Sequence, residues 1–201
     1  MKSPRLIAQS LFAASVLTLA SGCTHFKTVS VQPSPVPTGQ LSPHHVALVL
    51  DQKLTDFKNT YSRGQDNFVD DMSGSFQDYA RQVATKSFQQ VDVVPSVDKA
   101  AALATADLIL IPQAVKSDIS IPVWAWSNDN LTLVVKWTAK DRATQNTVWL
   151  ATVTANASEP MGSAFSADKN LRILYQKAFD DLSLKTYKAF QEAPELGGGQ
   201  H

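Results

Sequence analysis

The chain contains one cysteine, Cys23, so it cannot form an internal disulfide and its thiol calls for another role. Cationic Lys2 and Arg5 come first, an apolar run from Leu6 to Leu19 follows, and small residues lead up to the cysteine. This order is typical of an export signal. The chemistry that it predicts is covalent modification of the thiol at the point of signal cleavage. The alternative is ordinary cleavage that leaves Cys23 as a free thiol.

A transmembrane helix is the competing interpretation of the apolar run. The run is about 14 residues long, whereas about 20 predominantly apolar residues are needed to span a bilayer. It is also interrupted by four polar residues, which are Gln9, Ser10, Ser15 and Thr18. We therefore predict that residues 1–22 are a signal peptide and not a membrane anchor.

The residues before the cysteine, Leu19-Ala20-Ser21-Gly22-Cys23, resemble the lipobox of bacterial lipoproteins. The resemblance implies that Cys23 receives a diacylglyceryl group and fatty acyl chains such as palmitate, and becomes the new amino terminus. Ala20 departs from the family pattern, which usually has leucine at that position. Thr24 follows the cysteine where an aspartate would retain a lipoprotein at the inner membrane. The resemblance thus implies the periplasmic face of the outer membrane of a Gram-negative bacterium.

The predicted first partner is therefore the lipid bilayer, through acylated Cys23. Each buried methylene contributes about 0.8 kcal/mol to membrane binding, and a single chain gives only marginal attachment. The two or three chains implied by the resemblance would make attachment effectively permanent.

Other residues capable of chemistry do not form a catalytic pattern. His44 and His45 are adjacent at the start of a strand and would point to opposite faces, so no metal site is predicted. The acidic pairs Asp70-Asp71 and Asp180-Asp181 are predicted on solvated helix faces, where neighbours diverge by about 100°. The sequence contains neither a Gly-x-Ser-x-Gly elbow nor a glycine-rich phosphate loop. We expect no enzyme activity, no metal and no cofactor.

Two tryptophans, Trp124 and Trp126, precede a polar loop that includes Asn128 and Asp129. Their even positions place them on the predicted sheet face that the helices leave uncovered. One alternative is that they pad this face, since aromatic pairs stabilise sheets. The other is that they form an interface with a protein or a glycan, since tryptophan is enriched at binding hot spots.

Composition limits the class of partner. The sequence has 201 residues with 18 Lys+Arg and 18 Asp+Glu. Loss of residues 1–22 removes Lys2 and Arg5 and leaves an excess of about two negative charges. Nucleic-acid binding requires a basic surface, so nucleic acid is not an expected partner.

Four segments are predicted along the chain. Residues 1–22 are the signal peptide, and 23–43 are the lipidated cysteine and a proline-rich linker that would reach roughly 60 Å when extended. Residues 44–193 form one periplasmic domain, since 44% of the residues are hydrophobic and about 150 residues suffice for a core. Residues 194–201 are a flexible tail.

The domain's periodicity predicts an α/β fold. A helix beginning at Asp66 would align Phe68, Met72, Phe76, Tyr79 and Val83, and a second helix runs from about Ala167 to Gln191. Odd-numbered apolar residues alternate with polar ones in three consecutive strands, at Val115 to Val123, Leu131 to Trp137 and Trp149 to Val153. We expect a two-layer sandwich in which a mixed, mostly antiparallel sheet of about five strands carries two long helices on one face.

The whole layout, from lipobox through linker to α/β domain, resembles small envelope lipoproteins such as the YajG-like group, the penicillin-binding-protein activators and the TolB amino-terminal domain. The resemblance implies a non-catalytic adaptor or accessory factor for an envelope component, with another envelope protein as partner. The alternative is a module that binds cell-wall glycan or polysaccharide.

Overall fold

The structure is a computed structural model that describes residues 23–63, 65–122, 127–160 and 167–198. Its strands are β1 (Thr24–Thr28), β2 (Ser42–Val49), β3 (Lys58–Arg63), β4 (Asp66–Asp71), β5 (Phe88–Val94), β6 (Leu108–Ser120), β7 (Asn128–Asp141) and β8 (Thr147–Pro160). Its α-helices are α1 (Gln52–Thr55), α2 (Ser73–Ser87), α3 (Val97–Ala101) and α4 (Ala167–Gln191), and a 3-10 helix spans Pro194–Leu196.

The described strands form two mixed sheets. The larger has five strands in the order β5-β2-β6-β7-β8, and the smaller has three in the order β1-β4-β3. In the larger sheet β2 runs parallel to β5 and β6, whereas β7 runs antiparallel to β6 and β8. The α/β class and the five-stranded mixed sheet agree with the sequence prediction. The smaller sheet was not predicted.

Strand β7 lies at the centre of the main core. Its odd-numbered side chains are buried, as the alternation predicts, and they are Leu131, Leu133, Val135, Trp137 and Ala139. Phe76 of α2 and Leu174 of α4 belong to the same apolar cluster. Both long helices therefore contribute to the core on this side of the sheet.

A second, smaller cluster lies on the opposite side of β2 and β6. It contains Ala47, Val49, Ile109 and Ile111, together with Ala100 of α3. The two central strands are thus buried on both faces, which explains why the sequence of β6 begins with a continuous apolar run. The prediction of two long helices on one face of the sheet is therefore incomplete, because the short helix α3 packs on the opposite face.

Strand β6 departs from the predicted alternation at a β-bulge. Its register against β7 shifts between Ala114 and Lys116, and Val115 is left over as the extra residue. Val115 is 57% exposed, although its odd position predicted burial. A bulge reverses the side-chain parity of a strand. Before it the even residue Leu110 packs in the main core, and after it the odd residue Ile119 does.

The first long helix begins later than the periodicity predicted. Residues Asp66–Asp71 form β4, and α2 starts at Ser73. Phe68, expected on the helix face, is instead in β4, where its ring stacks on His25 of β1 at 5.0 Å and on Tyr61 of β3 at 5.2 Å. Strands on both sides of β4 supply the hydrogen bonds that a helical turn would otherwise provide.

The segment predicted as a spacer is packed on the domain, which corrects the linker prediction for 23–43. In residues 29–36, here called the valine segment, Val29, Val31 and Val36 are buried. The Ser75 hydroxyl on α2 accepts from the Val31 amide at 3.1 Å and donates to the Val29 carbonyl at 3.0 Å. The Ser34 amide donates to Asp180 Oδ1 on α4. Val29 and Val31 alternate with exposed Ser30 and Gln32, so this extended stretch has an apolar side, and that side is buried.

The predicted tail also begins later than residue 194. Leu196, in the 3-10 helix, is 1% exposed and belongs to the main core cluster. Gly197 follows with φ of 76°, a backbone conformation that favours glycine. The described structure therefore extends beyond the predicted end of the domain at residue 193.

Candidate functional site

Cys23 lies at the edge of the smaller sheet, and its thiol is free and exposed. Its carbonyl accepts from the Asn67 amide at 3.0 Å, and its own amide donates to Asp66 Oδ1 at 3.3 Å. Strand β1 starts at the next residue and pairs in parallel with β4. An acyl group on this cysteine would therefore be attached directly to the folded sheet. Residues 1–22 lie outside the described residues.

A cavity of about 500 Å³ opens beside β1. Its first lining residue along the chain, Lys27, comes four residues after Cys23. One wall is formed by the end of β1 and the residues that follow it, including Lys27 and Val29. The other wall is the first part of α4, which contributes Lys169, Leu171 and Arg172. Residues three and four apart share a helix face, so Lys169 lies beside Arg172, and Leu171 lies beside Tyr175. The cavity thus combines cationic groups with apolar surface.

Tyr175 of α4 also lines the cavity, and its hydroxyl belongs to a buried polar cluster. Its hydroxyl donates to Asp70 Oδ2 at 2.7 Å, and Asn59 Nδ2 donates to the hydroxyl at 3.4 Å. Burial, followed by the negative charge of Asp70, raises the pKa of Tyr175 far above its ordinary value. The hydroxyl therefore stays protonated and serves as a hydrogen-bond donor to a carboxylate.

The Asp70-Asp71 pair corrects a sequence prediction. Both residues were expected on a solvated helix face, but they lie on β4, where neighbours point to opposite sides, and Asp70 is fully buried. The side chain and then the backbone amide of Ser73 hydrogen-bond to Asp71 and lower its pKa. The amide is 3.0 Å from Asp71 Oδ1. The two carboxylates do not face a common site.

The second acidic pair, Asp180-Asp181, supports the structure of α4. Asp180 binds the valine segment, as described above, and Asp181 Oδ2 accepts from Lys185 Nζ at 2.6 Å. Asp181 and Lys185 are four residues apart, a spacing that brings two side chains onto the same helix face. Asp181 Oδ2 also accepts from the Asn156 amide of β8 at 3.2 Å. Each carboxylate thus has a structural partner.

The adjacent histidines pair with different carboxylates. His45 Nε2 lies 2.7 Å from Asp92 Oδ2, and His44 Nδ1 lies 3.7 Å from Asp107 Oδ2. Among the described residues no group of three histidine, cysteine or acidic side chains is arranged to hold a metal ion.

The predicted interface lies partly outside the described residues, since Trp124 and Trp126 belong to the undescribed range 123–126. Asn128 is exposed at the start of β7, whereas Asp129 is 7% exposed and points to the other side. Farther along the sheet, Val148 and Leu150 of β8 are exposed at even positions, as the parity predicts. The outer face of β8 therefore carries apolar side chains in contact with solvent.

The cavity was not anticipated from the sequence. Lys27 falls in the predicted linker, and Lys169 and Arg172 fall on the predicted last helix, more than a hundred residues away. Their spacing of three on that helix is a local signal for a shared face. No local sequence pattern indicates that β1 lies beside α4.

No protein-family model and no curated protein matches this sequence. Among solved structures, a DUF330 protein from Xanthomonas campestris superimposes with a TM-score of 0.53 at 9% identity, covering 81% of this chain and 92% of that one. This likeness is one of fold. Weaker matches include a minor lipoprotein from Acinetobacter baumannii, with a TM-score of 0.44, 13% identity and coverage of 74% and 91%. Lipoprotein GNA1162 from Neisseria meningitidis superimposes with a TM-score of 0.38 at 9% identity, covering 66% of this chain and 96% of that one. These two scores are too low to support a functional inference.

None of the described helices is both long enough and apolar enough to cross a bilayer.

Proposed function

We propose that this chain is a lipoprotein anchored by acylated Cys23 to the periplasmic face of the outer membrane of a Gram-negative bacterium. The observation that carries the proposal is the lipobox-like sequence before an exposed cysteine thiol. The hydrogen bonds of Cys23 use its backbone, and so the sulfur is left available for a lipid.

In this role the chain acts as a non-catalytic adaptor or accessory factor for another envelope component. Exposed Val148 and Leu150 on the outer face of β8 support the proposal, because apolar groups in contact with water favour a protein partner. A module for cell-wall glycan is the alternative, and it rests on Trp124 and Trp126. The closer resemblance to YajG-like lipoproteins, penicillin-binding-protein activators and the TolB amino-terminal domain stays a prediction.

Replacement of Cys23 tests the anchor and the adaptor role together. In cells labelled with palmitate, the parent should incorporate label and fractionate with the outer membrane, whereas Cys23→Ala should be unlabelled and unprocessed after Gly22. Treatment of the same cells with a crosslinker should join the parent, and not the variant, to an envelope protein.

The outcomes separate the parts of the proposal. Equal labelling of parent and Cys23→Ala would overturn the anchor. A labelled parent that crosslinks to no protein and binds purified peptidoglycan would replace the adaptor with the glycan-binding module. A labelled parent recovered with the inner membrane would overturn the outer-membrane location.

A further inference from the structure

We propose that the cavity between β1 and α4 binds a phosphate group, and that the headgroup of an anionic membrane lipid supplies it. The proposal deepens the membrane placement and therefore rests on the proposed function.

The charge of the cavity favours an anion. Lys27, Lys169 and Arg172 line it, and no described lining residue carries a carboxylate. Among the side chains that the structure describes, which exclude those of residues 161–168, Lys169 and Arg172 have no ion-pair or hydrogen-bond partner. Like charges three residues apart on a helix repel each other unless an anion lies between them. Arginine and lysine side chains are also the usual ligands of phosphate in proteins.

The apolar surface favours a lipid over a free ion. Val29 and Leu171 line the same cavity as the cations, and both side chains are at least 93% buried, at 6% and 7% exposure. Tyr175 lines the cavity too, and its hydroxyl donates to Asp70. A volume of about 500 Å³ exceeds that of a phosphate ion and accommodates a glycerol phosphate with the first part of an acyl chain. Buried binding sites commonly combine apolar walls with a few charged groups.

The position of the cavity places it near the headgroups. Lys27 follows Cys23 by four residues of extended chain, which span about 13 Å. The acyl chains on Cys23 fix that end of the strand in the bilayer, whose headgroup layer is about 5 to 8 Å thick on each side. The cavity therefore lies at or just beyond the outer edge of that layer, where long lysine and arginine side chains can reach a phosphate. Because β1 is paired with β4 throughout, this distance cannot lengthen without breaking the sheet.

The test uses the full acylated chain in non-ionic detergent micelles. Dihexanoyl phosphatidylglycerol is titrated in, and broadening of its phosphorus-31 resonance reports binding. The parent should broaden this signal at concentrations where dihexanoyl phosphatidylcholine, which has the same chains and no net charge, gives none. Inorganic phosphate is titrated separately to distinguish a free anion from a headgroup.

The variant Lys169→Gln/Arg172→Gln should weaken phosphatidylglycerol binding by about tenfold or more, since two charge-assisted contacts are lost. Glutamine keeps the helix propensity of both positions. The matched control Lys136→Gln/Lys188→Gln removes the same charge at positions that do not line the cavity and should bind as the parent does. Palmitate labelling of both variants should equal that of the parent, so that a failure here is distinct from a failure of the anchor.

Each other result overturns the proposal in whole or in part. Equal weakening in both double variants would mean attraction to surface charge in general. Equal binding of phosphatidylcholine would remove the requirement for an anion. Tighter binding of inorganic phosphate than of phosphatidylglycerol would replace the lipid with a free anion. If neither phosphatidylglycerol nor inorganic phosphate gives a broadened signal, the cavity does not bind phosphate and the proposal is wrong.

Discussion

Two tyrosine hydroxyls join buried polar groups on different elements of the core. Tyr79 accepts from Trp137 Nε1 at 2.8 Å and lies 2.6 Å from Thr186 Oγ1, which joins α2 to β7 and α4. Tyr175 donates to Asp70 and joins α4 to β4. Burial is the main reason why the pKa of each tyrosine is raised. Their protonated state is therefore part of the folded structure.

The raised tyrosine pKa values predict a loss of stability in alkali. An unfolded tyrosine loses its proton near pH 10, whereas Tyr79 and Tyr175 hold theirs in the folded state well above that pH. The free energy of unfolding should be independent of these groups below about pH 10. Above it, each should lower that free energy by about 1.4 kcal/mol per pH unit.

Urea unfolding from pH 8 to 11.5 measures this slope. Tyr175→Phe should have a lower free energy of unfolding at pH 8, because Asp70 loses a donor. Above pH 10 this free energy should fall less steeply than in the parent, because one tyrosine fewer releases its proton on unfolding. A variant whose decline parallels that of the parent would contradict the assignment of Tyr175 to this slope.

At the scale of elements, β7 is the strand against which the others are arranged. It pairs with β6 and β8 over nearly its full length, and its buried face meets both long helices. Its neighbour β8 is an edge strand with no sheet partner on its outer side among the described strands. There Lys185 Nζ of α4 donates to the Thr154 carbonyl at 3.1 Å and so covers part of the edge. The larger sheet thus has one face buried under the long helices and, at β8, an opposite face in contact with solvent. The same substitution should have very different effects on these two faces.

Two leucines on this sheet give a matched pair. Leu133 of β7 is 0% exposed in the main core, and Leu150 of β8 is 53% exposed on the opposite face. Leu133→Ala should lower the free energy of unfolding by about 2 to 5 kcal/mol, because it leaves a cavity. Leu150→Ala should lower it by less than about 0.5 kcal/mol. Chemical denaturation of both variants measures the difference, and comparable losses would contradict the orientation of the sheet.

At the scale of the whole molecule, the valine segment determines how the domain lies relative to its anchor. A free linker would hold the domain at any distance up to its full length. Instead, Val29, Val31 and Val36 pack in the main core, and the valine segment is held against α2 and α4. The smaller sheet and the cation-lined cavity are then the parts of the protein nearest to Cys23.

Truncation distinguishes a packed segment from a spacer. A chain that begins at Leu41 lacks the three buried valines and should unfold at much lower urea concentration than one that begins at Thr24. Each buried valine contributes at least about 1.5 kcal/mol, so the loss should exceed about 4 kcal/mol. Equal midpoints for the two chains would mean that residues 24–40 are a spacer after all.

The sequence alone determined the features that local periodicity encodes. The odd-numbered apolar residues of β7 and β8 predicted which face is buried, because side chains in a strand alternate with a period of two whatever lies nearby. The extent of α4 followed from its apolar face in the same way. The lipobox-like residues before Cys23 are a contiguous motif, and a contiguous motif needs no fold to be recognised.

Tertiary structure decided whatever depends on a distant partner. Phe68 and Met72 have a spacing that suits a helix, yet β1 and β3 pair with residues 66–71 and hold them extended. Val115 is exposed because a bulge absorbs one residue of β6 against β7, and no local pattern marks that position. Lys27 reaches Lys169 and Arg172 only because β1 is added to the edge of the smaller sheet beside α4. Pairing across such separations is set by the packing of the whole chain, and for that reason the cavity emerged only with the fold.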